Sequence, residues 1–225
     1  MGMNRLWIYG CSFSEPFGLV PNELPPIVNA DKSRYFYGTD YWGTHLANKL
    51  NLECITKSLA GVSWNYINER IDEDIMTWDK KDYVIINPSI FSRVTFEELV
   101  KRDSQQDFGL LIKGWDFIVP HNENRWQKKI QTLQYLGYKN VYTWLVDNTE
   151  HYNEVDNLIT APGDYTNWKD WLDLHKEYWI DPLFNPPLGD WHFNEIGHIA
   201  VANRMYEFII GNINEHKKSI QALGQ

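Results

Sequence analysis

The sequence predicts an α/β fold, a doubly wound three-layer α/β/α sandwich with a mostly parallel central sheet. Three observations carry that expectation. Short apolar runs alternate with amphipathic helical stretches along the chain. One run, Asp82 to Asn87 (DYVIIN), is apolar without alternation at its centre, as a strand buried on both faces requires. No repeat, low-complexity segment or linker divides the 225 residues, so 1–225 reads as a single domain.

The elements follow in order. Arg5 to Tyr9 (RLWIY) reads as a buried strand that ends at Gly10. From Cys11 to about Thr39 the chain reads as irregular, because Pro16, Pro21, Pro25 and Pro26 rule out a continuous helix. Asp40 to Leu50 predicts a helix with Asp40 as its N-cap. Leu52 to Thr56 predicts the second strand, and Ser58 to Gly61 a turn. Ser63 to Trp78 places Trp64, Ile67, Ile71, Ile75 and Trp78 three or four residues apart, one apolar face of a helix with an acidic outer face. The central strand comes next. Asn122 to Gly137 then predicts a helix closed by Gly137, and Asn140 to Val146 a fourth strand. The Trp- and Pro-rich stretch from Asp147 to Leu188 predicts only a short helix near Asn167 to His175. Asn194 to Ile213 predicts the last helix, with Ile196, Ile199, Ala200, Ala202, Met205, Phe208 and Ile209 as its core stripe. Strand and helix thus alternate four times, the pattern of a flavodoxin-like sheet whose ligands bind beyond the carboxyl ends of the strands.

Composition narrows the function classes. The 30 acidic and 21 basic residues leave a net charge of −9. The basic pairs Lys80-Lys81, Lys128-Lys129 and Lys217-Lys218 are short and sit among acids or polar residues, which argues against a nucleic-acid partner. No stretch approaches the ~20 apolar residues of a membrane span, so no membrane partner is expected. The apolar run near the amino end is too short for a signal peptide. These features suit a protein of the cytoplasm, or one carried on a particle or released by lysis. Cys11 and Cys54 show no CxxC pair and no zinc spacing, so burial as small side chains is expected of both. Eleven Trp among an aromatic content of 15% serve a core first, and a wall for a flat ligand second.

Two short segments bear chemistry. Gly10-Cys11-Ser12-Phe13-Ser14-Glu15 follows the first strand, and its glycine lets the backbone turn sharply. A serine hydroxyl is a weak nucleophile until a base takes its proton. Gly189-Asp190-Trp191-His192-Phe193-Asn194 precedes the last helix, and a histidine oriented by a carboxylate is the base that such a serine needs. Either segment alone reads as ordinary turn and cap residues. Metal binding by Asp190, His192 and His198 would need a spacing unfamiliar for zinc, and His198 reads as structural.

Taken together, Gly-x-Ser after the first strand and Asp-x-His-x-Asn-x-x-Gly-His before the last helix resemble the SGNH (GDSL-like) hydrolases. The GCSFSE opening resembles a sub-branch met in phage and bacterial genomes. Here Cys11 stands where the family most often has Asp, and Asp-x-His replaces the commoner Asp-x-x-His. The resemblance spans most of the chain in topology and about three short motifs in residues. It implies a serine esterase with Ser12 as nucleophile, His192 as base, Asp190 as its orienting acid, and no cofactor. It further implies an oxyanion hole from the backbone N–H groups of Ser12 and Gly61. The family's oxyanion asparagine has no match at its usual place beyond the third strand. Asn87 or Ser89 stands in for it, or the third donor is absent. Arg93 reads as a surface ion-pair residue, and Ser63 and Asn65 as pocket or cap residues. The implied partner is a small-molecule or glycan ester, an O-acetylated carbohydrate among them, with the Trp-rich segment from Trp168 to Trp191 as a wall over the site. An acyltransferase on the same scaffold, or a carbohydrate-binding or structural module that has lost catalysis, are the alternatives.

Overall fold

The computed structural model describes residues 4–11, 14, 18–19, 35–36, 41–58, 63–88, 107–145, 155, 157–161, 168, 171, 174–175, 177, 193 and 195–223. For 18–19, 35–36, 107–119 and 215–223 it describes the backbone alone.

Strand β1 (Arg5–Tyr9) lies inside a four-stranded sheet, flanked by β4 (Glu53–Thr56) on one side and β5 (Tyr83–Ile86) on the other, with β6 (Val141–Thr143) beyond β5. Every pair in this sheet is parallel. Leu6 is level with Cys54 on one side and Tyr83 on the other, and Tyr9 is level with Ile86. A parallel bridge between Thr143 and Leu158 adds one further rung beyond β6. Within the segment expected to be irregular, β2 (Gly18–Leu19) and β3 (Tyr35–Phe36) form a separate two-residue antiparallel pair.

Helices α1 (Trp42–Leu50) and α4 (Glu195–Leu223) pack together on one face of the sheet. Helices α2 (Trp64–Asp74) and α3 (Asp107–Tyr135) pack together on the other. The layers meet through named contacts. Phe208 of α4 packs edge-on against Tyr142 of β6, with centroids 6.5 Å apart. From the opposite side the Trp126 indole of α3 donates to Thr143 Oγ1 at 3.1 Å. This is the doubly wound, three-layer arrangement that the alternation of elements predicts.

Several boundaries differ from the sequence expectation. The N-cap of α1 is Tyr41, not Asp40, and Asp40 lies outside the described residues. The hydroxyl of Thr44 takes the capping role, accepting from the Tyr41 N–H at 3.1 Å and donating to the Tyr41 carbonyl at 2.8 Å. Helix α2 ends at Asp74, and a 3₁₀ turn at Ile75–Thr77 completes the predicted stretch. Helix α3 begins at Asp107 rather than Asn122 and runs through Pro120. It closes as expected at Gly137, whose φ of +88° favours glycine. Gly137 N–H reaches the Gln134 carbonyl at 2.9 Å and Tyr138 N–H the Leu133 carbonyl at 3.1 Å, a Schellman closure. In α4 the buried stripe runs through His198, Val201, Ala202, Met205 and Ile209, whereas Ile196 and Ile199 are 59% and 39% exposed.

The core is aromatic: eight of the eleven tryptophans are buried, and the other three lie outside the residues whose side chains are described. Trp168 and Trp171, expected in a wall over the site, belong to the core. Trp168 stacks edge-on between Trp144 and Trp171 and donates to the Ile159 carbonyl at 2.8 Å. At the amino edge of the sheet, the Asp82 carboxylate accepts from the Arg5 guanidinium, the Trp7 indole and the backbone N–H groups of Arg5 and Asp79, each at 3.0 Å. Burial raises that carboxyl, but the four donors outweigh it and hold it below the usual carboxylate range.

Candidate active site

Chain order fixes where a site can form. From β1 the chain crosses by α1 to β4, then returns by α2 to β5 on the opposite side of β1. The strand order therefore reverses between β1 and β5, and the crevice at their carboxyl ends is the topological switch point, the usual ligand site of such sheets. Cys11 and Ser14 follow β1 there, and Asn87 follows β5.

Asn87 ties three strand ends together. Its backbone N–H donates to the Tyr9 carbonyl at 2.8 Å. Its side-chain oxygen accepts from the Cys11 thiol at 3.3 Å, and its Nδ2 donates to the Trp144 carbonyl at 3.1 Å. Both Cys11 and Asn87 are 1% exposed. A buried amide must place its donors and acceptor, and Asn87 does so across the loops that follow β1, β5 and β6. One Nδ2 hydrogen has no hydrogen-bond partner among the described residues.

Gly10 is set by close approach. A Cβ there would fall 2.6 Å from Ser14 Oγ, 2.7 Å from Ser14 Cβ and 3.1 Å from Asn87 Cβ. The Ser14 N–H reaches back to the Cys11 carbonyl at 2.8 Å, bracketing Ser12 and Phe13. The Ser14 hydroxyl is fully buried and makes no hydrogen bond among the described residues. Sequence reading gave Ser14 no role. Its signal is the Gly-x-x-x-Ser spacing, in which the glycine makes room for the serine.

On the α1 side, Phe193 packs edge-on against His198 at 5.6 Å, and His198 against Tyr41 at 6.4 Å. The Tyr41 phenol reaches Thr56 Oγ1 and lies 3.5 Å from Cys54 Sγ, both on β4. Burial raises the Tyr41 phenol well above its ordinary range, so it stays protonated. This series anchors the start of α4, just after the Asp190-x-His192 segment, to the amino end of α1 at the carboxyl edge of the sheet. His198 is buried between these two rings.

Of the five residues expected to act, Asn87 alone is described. Ser12, Gly61, Asp190 and His192 lie outside the described residues, as do Ser89 and Arg93. Among the described residues no group of three or more His, Cys, Asp or Glu is placed to hold a metal ion, and Cys11 and Cys54 are both free thiols. Among them, too, no helix is long and apolar enough to cross a membrane.

No family profile matches the sequence, and no curated protein matches it. Solved structures do resemble it. One is an acetyl xylan esterase, 17% identical over 90% of this chain and 98% of the other, with a TM-score of 0.48. Another is a lipase/acylhydrolase from Enterococcus faecalis, 10% identical over 93% and 97%, with a TM-score of 0.47. A third is described as a lipolytic protein of the G-D-S-L family from Desulfitobacterium hafniense, 13% identical over 91% and 99%, with a TM-score of 0.39. The architecture of this chain rests on its own strand order and helix placement.

Proposed function

We propose that this protein is a serine esterase of the SGNH type, with Ser12, His192 and Asp190 as its triad and an O-acetyl group on a carbohydrate as an ester that suits it. One observation carries the reading. Gly10, two residues before Ser12 in the chain, lies at the mouth of the β1–β5 switch point, against Ser14 and Asn87.

His192 takes the proton from Ser12 Oγ as that oxygen bonds to the ester carbonyl carbon, and the carbonyl π pair moves onto oxygen. Asp190 holds the imidazole tautomer and stabilises the imidazolium. Backbone N–H groups of Ser12 and Gly61 receive the oxyanion. The C–O bond to the alcohol then breaks as His192 returns its proton to the leaving oxygen. Water, deprotonated by His192, attacks acyl-Ser12, and the carboxylic acid leaves with Ser12 restored. Asn87 contributes through its one unengaged Nδ2 hydrogen, while Cys11 and Trp144 fix the amide plane.

The test is hydrolysis of p-nitrophenyl acetate by the parent chain beside Ser12→Ala and His192→Ala. The expected result is turnover in the parent and background rates in both variants. Turnover retained by either variant would remove it from the triad. A panel of acetylated sugars then tests the carbohydrate assignment.

A further inference from the structure

Helix α2 starts at the carboxyl edge of the sheet, because it follows β4 and leads into β5. Its first N–H groups have no partners within the helix, and its first turn carries no acidic residue. Ser63 occupies the N-cap with extended backbone (φ −86°, ψ 170°), yet its hydroxyl makes no cap bond. That hydroxyl is buried, at 1% exposure of the residue, and has no partner among the described residues. The neighbouring Trp64 indole N–H is likewise buried and without an acceptor among the described residues.

A cation stands at the same end of the helix. Arg125 of α3 donates to Asn65 Oδ1 in the first turn of α2. One helical turn further along α3, Lys129 pairs with Asp72 at 2.5 Å. Arg125 has no such carboxylate among the described residues. A guanidinium keeps its charge at every working pH, and the positive end of a helix disfavours a cation unless an anion sits between them. Among the described residues, an unused serine hydroxyl, helix N–H groups at the amino end of α2 and a guanidinium with no carboxylate therefore converge on one partner.

We propose that the amino end of α2 is an anion site, in which the Ser63 hydroxyl, the N–H groups of Asn65 and Tyr66 and the Arg125 guanidinium hold a carboxylate or phosphate oxygen group carried by the substrate. The ester acted on is then one borne by an acidic molecule, such as an acetylated uronic-acid glycan. Assigning the anion to the substrate rests on the esterase reading above; the site itself does not.

The experiment has two arms on the full chain. In the first, inorganic phosphate is titrated at constant ionic strength while the backbone amide resonances of 63–67 are followed. Saturable shifts are expected in the parent, with affinity weakened about tenfold in Arg125→Gln and in Ser63→Ala. Arg125→Lys keeps the charge and should lie between, so a folding defect in one variant does not decide the result. No saturable shift at these amides, or equal affinity in all four proteins, overturns the site. In the second arm, kcat/KM is compared for acetylated glucuronate and acetylated glucose. The parent should prefer the glucuronate, and both variants should lose that preference. Phosphate binding without any preference leaves the anion site standing and removes the substrate from it. Phosphate binding with no ester turnover overturns the esterase reading alone.

Discussion

The Cys11 thiol donates to Asn87 Oδ1 at 3.3 Å, joining the loop after β1 to the loop after β5 across the switch point. The same amide donates to the Trp144 carbonyl, so one side chain orients the exits of three strands. Asn87→Ala leaves the Trp144 carbonyl and the Cys11 thiol buried without partners. It should destabilise by about 2–3 kcal/mol, lowering Tm by roughly 5–10 °C. Thermal melts monitored by circular dichroism check this, and an unchanged Tm would deny the tie.

Cys11→Asp, which would bring the motif nearer to Gly-Asp-Ser, should be poorly tolerated. A carboxylate at that position would face the Asn87 oxygen, and turning the amide over would set that oxygen against the Trp144 carbonyl. Cys11→Ser keeps a donor and should lie within about 1 kcal/mol of the parent. Urea unfolding of both variants, read at the midpoint, separates the two outcomes.

Gly10→Ala should destabilise by about 1–3 kcal/mol, because its methyl would overlap the Ser14 side chain and crowd Asn87. Adding Ser14→Gly removes the two closest atoms and should recover part of the loss. A double-mutant cycle checks this; strictly additive losses would mean that the clash lies elsewhere.

Ser63→Ala and Ser14→Ala should both fold with a Tm close to that of the parent. A capping serine typically contributes ~1 kcal/mol, but Ser63 makes no cap bond, and Ser14 has no bond to lose. A fall in Tm for Ser63→Ala would show that its hydroxyl caps α2 in solution.

Asp82 gives the fold an acid-sensitive lock. Its folded-state carboxyl lies below the ordinary value of 3.8. Its contribution is therefore complete above the unfolded-state pKa, and is lost as pH falls through the lower folded-state value. Asp82→Asn should reduce stability at neutral pH by about 2–3 kcal/mol and flatten the decline below about pH 4. Equal slopes for the two proteins would assign the acid sensitivity to other carboxylates.

Elements buried on both faces were the most legible in the sequence. The Arg5–Tyr9 strand matches to the residue, and the apolar run after Asp82 fixed β5 to within one residue at each end. The stripe of α2 was legible because Trp64, Ile67 and Ile71 are all buried. The amino-terminal half of α3 was not: the sequence predicts a start at Asn122, whereas the helix begins at Asp107 and carries an interior proline, Pro120, which disfavours but does not end it. Ile196 and Ile199 misled because apolar spacing shows that a helix has a face without showing which turns of it overlie the sheet. The site motifs were legible as residue types. What supports them was not, because the contacts of Gly10 and Cys11 with Asn87 join residues that become neighbours only once the strands are ordered.

The central position of β1 also bears on how the chain can assemble during synthesis. Of the four strands of this sheet, β1 is made before the others and is an inner strand. It has no partner until Glu53–Thr56 has been made, and only one until Tyr83–Ile86 follows. A nascent chain that stops short of Tyr83 holds the Gly10-x-Ser12 segment on a strand with one bare edge. The crevice cannot exist in any amino-terminal fragment that lacks β5.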